Sequence, residues 1–257
     1  MEALLDFVRR HDPDRFLTAL FAPPPRRAAL LALYAFNHEL ARAREAAHEP
    51  TLALIRLHWW REVVQGAPRA HEVATPLAAA LAEGALARED LLAMIDAREA
   101  EAEPAIATLA GWLSYLRGTA GGLAVAAARC LGAAEPEALR ELGAAYGAAG
   151  VLRAVPALAR QNRCLLPEDR LAAHGLSVEA VIAAPYASAV QDVRRELARE
   201  GAALLARAPR RVPRAVVAAA LPAVLARRDL ARVPAPARPR GLGDRLAVLA
   251  AAILGRV

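Results

Sequence analysis

Lysine is absent from this 257-residue chain: all 33 basic residues are arginine. Against 27 acids they leave a formal charge of +6, but the arginines are interspersed with Asp and Glu rather than blocked. Phe, Trp and Tyr together make up only 4% of residues, so the basic surface lacks the aromatic partners on which bases stack, and nucleic-acid binding is not expected. There are two cysteines, Cys130 and Cys164, with no CxxC and no metal-ligand spacing. They read as reduced, buried residues of a cytosolic protein. Uncharged runs such as 215–226 and 246–255 fall below the ~20 residues of a membrane-crossing helix, and Pro222 interrupts the first. The acidic opening segment, residues 1–16, has no apolar core of a secretory signal. The expectation is a cytoplasmic protein, soluble or peripheral on the inner face of the membrane.

What the chain has in quantity is apolar, helix-forming sequence. Hydrophobic residues are 56% of the total, enough for a core without disulfide or metal staples. Strand signals are nearly missing, whereas helical spacing recurs throughout. After Pro23-Pro24-Pro25, the residues Leu30, Leu33, Tyr34, Asn37 and Ala41 fall on one face of a helix over 26–47. Pro50 opens a second helix to about Gln65, in which Leu52, Ile55, Trp59 and Val63 share the core stripe and Trp60 lies on its flank. Further helices are predicted near 72–83, 88–101, 105–132, 136–154, 177–208, 211–228 and 242–255. The Pro-rich stretch 232–243 is an exposed loop before the last helix. No linker or internal repeat divides the chain, so residues 1–257 are expected to form a single all-α domain.

Ligands of helical bundles bind between facing helices, which directs attention to polar or small residues on core faces. Three places stand out. Asn37 and Ala41 continue an apolar stripe that ends in Glu45. Gly118, Gly121 and Gly122 interrupt a helix at a cost, and either line a cavity or admit a close helix contact. Arg153 shares a face with Leu142, Tyr146 and Ala149, which aims a guanidinium inward, where it needs an anion or a carboxylate such as Glu45. His38 and Glu39 lack a second histidine one turn on, so a zinc helix is not expected. The other histidines, His11, His48, His58, His71 and His174, are scattered. Arg207, Arg210, Arg211 and Arg214 form the densest basic cluster, followed by Arg227, Arg228 and Arg232. These are either a solvated face or a peripheral contact with anionic membrane.

Several of these segments together resemble the squalene/phytoene synthase family, all-α enzymes that join two prenyl diphosphates head to head. The segments are Asp12-Pro-Asp-Arg-Phe16, 26–37 with its Tyr34-Ala-Phe-Asn37, Arg56-Leu-His-Trp-Trp-Arg-Glu62, Tyr115-Leu-Arg-Gly-Thr-Ala-Gly121 and Arg163-Cys-Leu-Leu-Pro-Glu-Asp-Arg-Leu171. The pattern is most similar to the branch that includes bacterial proteins of unsettled role and a mitochondrial complex I assembly factor. The resemblance implies an isoprenoid-synthase-like bundle with a central cavity.

It also implies two Asp-rich motifs holding Mg²⁺ beneath the diphosphates, because ionising a diphosphate develops charge that the metal must neutralise. Here the chain departs from the pattern. The first motif falls on Ala41, Arg42, Ala43, Arg44 and Glu45, leaving one acid. The second falls on Arg153, Ala154, Val155, Pro156, Ala157 and Leu158, leaving none, and Pro156 is expected to kink or end its helix. Side chains at 41, 45, 154 and 158 would face a shared pocket. With so few carboxylates among arginines, no metal or other cofactor is expected. The candidates for a cavity or anion site are Tyr34, Asn37, Arg42, Glu45, Gly118, Gly121, Gly122, Tyr146, Arg153 and Arg163. The implied function is a catalytically degenerate member that binds a partner protein or an isoprenoid-like lipid, with complex I assembly the process the branch suggests. The alternative is an active Mg²⁺-dependent head-to-head synthase whose ligands come from Glu39, Glu45, Glu62, Glu168 or Asp169. A membrane-peripheral isoprenoid carrier is a third reading.

Overall fold

The computed structural model describes residues 2–45, 49–236 and 238–257; His48 lies outside them, as does the side chain of Glu45. The described residues form α-helices joined by short turns, with one isolated bridge between Arg211 and Arg256 and no strand. The helices are α1 Glu2–His11, α2 Pro13–Ala19, α3 Pro24–Glu45, α4 Pro50–Gln65, α5 Ala74–Ala82, α6 Arg88–Arg98, α7 Leu109–Leu116 and α8 Gly122–Cys130. They continue as α9 Arg140–Ala159, α10 Glu168–Ala173, α11 Val178–Ala183, α12 Ser188–Arg207, α13 Val217–Ala220, α14 Pro222–Leu230 and α15 Leu242–Leu254.

Two helices form the interior. α3 is buried on every side from Leu30 to Asn37, wrapped by α1, α4, α5 and α8. Helix α9 is the second axis, packed between α12 and α14 and against the turn that joins α7 to α8. The helical stretch 136–159 that contains it is apolar and long enough to cross a membrane, but 61% of its apolar 18-residue window is buried inside the bundle. Small residues allow this packing: Ala144, Ala145, Ala148 and Ala149 are all buried, and alanine brings backbones close without loss of helix propensity. A continuous apolar cluster runs from Leu4 to Val257.

The structure differs from the sequence reading at several boundaries. The stretch 105–132 is two helices joined by a π-helical turn at 117–121, where Thr119 Oγ1 donates to the Tyr115 carbonyl at 2.7 Å. The stretch 177–208 breaks at Pro185 into α11 and α12. The core face of α4 also differs, because Trp60 is buried while Leu52 and Ile55 are exposed. Apolar residues surround the start of that helix, so spacing alone does not choose a face.

Nor does Pro156 end its helix. α9 continues through it to Ala159. Proline at 156 leaves the Leu152 carbonyl without its helical donor, and the Arg194 guanidinium of α12 donates to that oxygen at 3.1 Å. A buried arginine thus replaces the missing N–H.

Candidate functional site

Between α2, α3, α9 and α14 lies the centre of the bundle, and its polar content is a set of paired arginines and carboxylates. Asp14, at the start of α2, accepts from Tyr146 Oη at 3.0 Å and from Arg240 Nη2 at 2.6 Å. Arg240 belongs to the Pro-rich loop and reaches inward to bind a second acid, Asp229 of α14, with Nη1 at 2.7 Å and Nη2 at 2.8 Å. Asp229 also accepts from Arg153 Nη1 at 3.0 Å. The inward guanidinium of α9 therefore has a carboxylate partner, Asp229, contributed by α14. Arg15, paired with Asp12 at 2.8 Å, lies over the Tyr146 ring at 4.7 Å.

A second group closes the side toward α6 and α7. Glu101, buried after α6, accepts from Arg98 at 2.5 Å, Tyr115 Oη at 2.8 Å and Arg163 at 2.6 Å. Arg98 also reaches Asn37 at 3.5 Å, and Arg44 Nε donates to the Glu101 carbonyl at 3.2 Å. Burial pushes the Glu101 carboxyl up, but Arg98, Arg163 and Tyr115 outweigh it and hold it below the usual carboxylate range. Burial pushes the phenols of Tyr34, Tyr115 and Tyr146 up, so all three stay protonated.

The space left is small. Tyr34, Tyr146, Arg15, Leu123, Leu142 and Gly143 are among the residues lining a central void of ≈ 10 Å³, about the room one water needs. Sites for small molecules usually measure about 300–1,000 Å³.

The predicted candidates are thus dispersed around this centre. Tyr34 and Tyr146 line the void. Asn37 and Arg163 join the Glu101 group, whereas Arg153 joins the Asp14–Asp229 group. Arg42 points outward, 3.6 Å from Glu39, into a surface hollow shared with Trp59, Trp60 and His71. The cavities described around the centre are not lined by Ala41, Ala154 or Leu158. The three glycines serve close contact: a Cβ on Gly118 would meet Ala97 at 2.6 Å, on Gly121 the Arg140 carbonyl at 2.9 Å, and on Gly122 Met94 at 3.3 Å. The residues that the sequence reading missed include Asp14, Arg15, Arg98, Glu101, Tyr115, Asp229 and Arg240. Asp14, Arg15 and Tyr115 carried a signal, because they lie in the quoted segments 12–16 and 115–121.

The pattern of the squalene/phytoene synthase family matches residues 8–249. The chain belongs to that family. Among curated relatives, complex I assembly factor 6 of Mus musculus is 29% identical over 86% of this chain and 68% of its own length. The Homo sapiens protein is 28% identical over 74% of this chain, which spans 59% of its length. Among solved structures, a dehydrosqualene synthase superposes with a TM-score of 0.77 over 98% of this chain and 94% of its own, at 13% identity. A squalene synthase from Alicyclobacillus acidocaldarius gives 0.64 over 99% and 93%, at 18% identity. These superpositions establish the all-α isoprenoid synthase fold.

Family members that transfer prenyl groups use Mg²⁺, and the donors among the described residues do not fit it. Among the described residues, no three His, Cys, Asp or Glu side chains gather into a metal set. Of the alternative ligands, Glu62 pairs with Arg69, and Asp169 accepts from the Leu109 amide at the start of α7. The carboxylates at the centre are each held by a guanidinium.

Proposed function

We propose that this squalene/phytoene synthase family member works as a scaffold protein in the assembly of respiratory complex I, without metal-dependent prenyl transfer. The observation that carries the reading is the central void of ≈ 10 Å³, too small for a prenyl chain, with its lining side chains Tyr146 and Arg15 held by Asp14 and Asp12. Charge supports it too. Mg²⁺ would have to displace Arg240, Arg153, Arg98 or Arg163 from their carboxylates, and like charges would oppose its entry. The same void argues against an isoprenoid carried in the interior. The assembly role rests on the similarity to complex I assembly factor 6, and a protein partner is the corresponding expectation.

Two experiments test the two halves. Purified protein incubated with farnesyl or geranylgeranyl diphosphate and Mg²⁺ should release no pyrophosphate and form no head-to-head product; turnover above a heat-inactivated control would overturn the non-catalytic reading. Removing the chain from its host should lower the amount of assembled complex I on native gels. Unchanged amounts would overturn the assembly role.

A further inference from the structure

We infer that α15 and the arginines beside it form a docking face for an anionic lipid bilayer, an inference that does not depend on the proposed function. Helix α15 has two apolar faces. One packs inward through Val248, Ala251 and Ala252. The other turns Leu242, Leu246, Leu249 and Ile253 to solvent in helical register, with Leu246 53% and Ile253 59% exposed. A surface helix of a globular protein ordinarily presents polar residues there. Ile253 and Leu254 share an open hollow of ≈ 700 Å³ with Arg211, Arg214 and Arg256, so apolar and cationic groups lie on one surface. Arg214 donates to the Ile253 carbonyl at 3.3 Å, and the Arg211–Arg256 bridge fixes the end of the helix.

Charge identifies the occupant. Residues 207–257 contain 11 arginines and only two acids, Asp229 and Asp244, while the remainder of the chain holds 22 arginines and 25 acids. Both acids are buried and paired internally, Asp229 with Arg153 and Arg240, Asp244 with Arg228 and Arg232. Among the described residues, Arg207, Arg210, Arg211, Arg214, Arg245 and Arg256 have no carboxylate within 4.0 Å. Leucine and isoleucine flanked by unneutralised arginines suit a helix lying in the headgroup plane of a negative bilayer. Nucleic acid is disfavoured, because residues 207–257 contain no aromatic side chain on which a base could stack. A second copy is disfavoured because a self-complementary contact would set two cationic faces against each other. Next to this face, a cleft of ≈ 510 Å³ places Arg199, Arg210 and Arg227 above Leu205 and Leu230, a setting for lipid phosphates.

The test uses the full chain in vesicle flotation. It should float with mixed phosphatidylcholine–phosphatidylglycerol vesicles and at least about tenfold less with phosphatidylcholine alone, and added salt should release it. Leu246→Glu with Ile253→Glu, and separately Arg211→Glu with Arg214→Glu, should each lower partition about tenfold or more. All four side chains are exposed, so circular dichroism should be unchanged and melting should shift by no more than loss of the exposed Arg214–Ile253 hydrogen bond. If a Glu pair unfolds, Leu246→Ser with Ile253→Ser replaces it. Equal flotation with neutral vesicles, no flotation at all, or full flotation of folded variants would overturn the assignment. So would a soluble dimer dissociated by Leu246→Glu in a chain that ignores vesicles.

Discussion

His38 stacks on His11 with ring centroids 4.6 Å apart, edge-on to Phe7 at 5.6 Å, and its Nε2 is buried without a partner among the described residues. Burial first, then the neighbouring His11 and Arg42, lowers its pKa to about 4. In the unfolded chain it titrates near 6.5, so between those values the unfolded state takes up a proton that the folded state refuses. Stability is therefore full above that range and falls as pH drops from about 6.5 toward 4. Denaturant titrations at pH 7 and pH 4.5 should show a smaller difference for His38→Leu than for the parent; an identical difference would exclude His38 as the source. The burial of the two cysteines agrees with their sequence context. Both are buried and free, and burial pushes the Cys130 thiol up to about 11.

At the scale of elements, the long helices were legible and their interruptions were not. The start of α3 after its prolines and the extent of α4 follow from helical spacing and proline placement alone. The π-turn and the persistence of α9 through Pro156 depend on neighbours, whereas the break at Pro185 is a local proline effect that helical spacing overrides in the sequence. Arg194 illustrates the point: in sequence it is one arginine in a charged helix, yet it is buried, and it completes the backbone of a different helix. Replacing Arg194 with Met should cost about 2–3 kcal/mol in urea unfolding. In a Pro156→Ala background the restored amide serves Leu152, and the same replacement should cost about 1 kcal/mol less. Equal costs in both backgrounds would break the link. Packing of α9 on the π-turn is tighter still, since a Cβ at Gly143 would stand 2.3 Å from the Ala120 carbonyl. Gly143→Ala should therefore destabilise by about 3 kcal/mol or more, measured by thermal melting.

Over the whole molecule, Arg240 connects regions that sequence separates widely, since it lies 226 positions from Asp14 and 11 from Asp229. Removing it leaves two buried carboxylates facing each other with less compensation, so Arg240→Ala should cost about 3–5 kcal/mol and loosen loop 232–243 to proteolysis. A variant with parental stability would show that the ion pairs do not close the bundle. The sequence by itself determined the helical class and the family, because periodicity and motif spacing are local properties of the chain. Which acid each interior arginine meets was decided by tertiary structure alone. Arg153 pairs with Asp229 because α14 packs on α9, and Arg163 meets Glu101 where Arg98 of α6 and Tyr115 of α7 also hold that carboxylate. A guanidinium's need for a counter-charge can be read from one position. Its partner follows only from the packing that brings distant segments together.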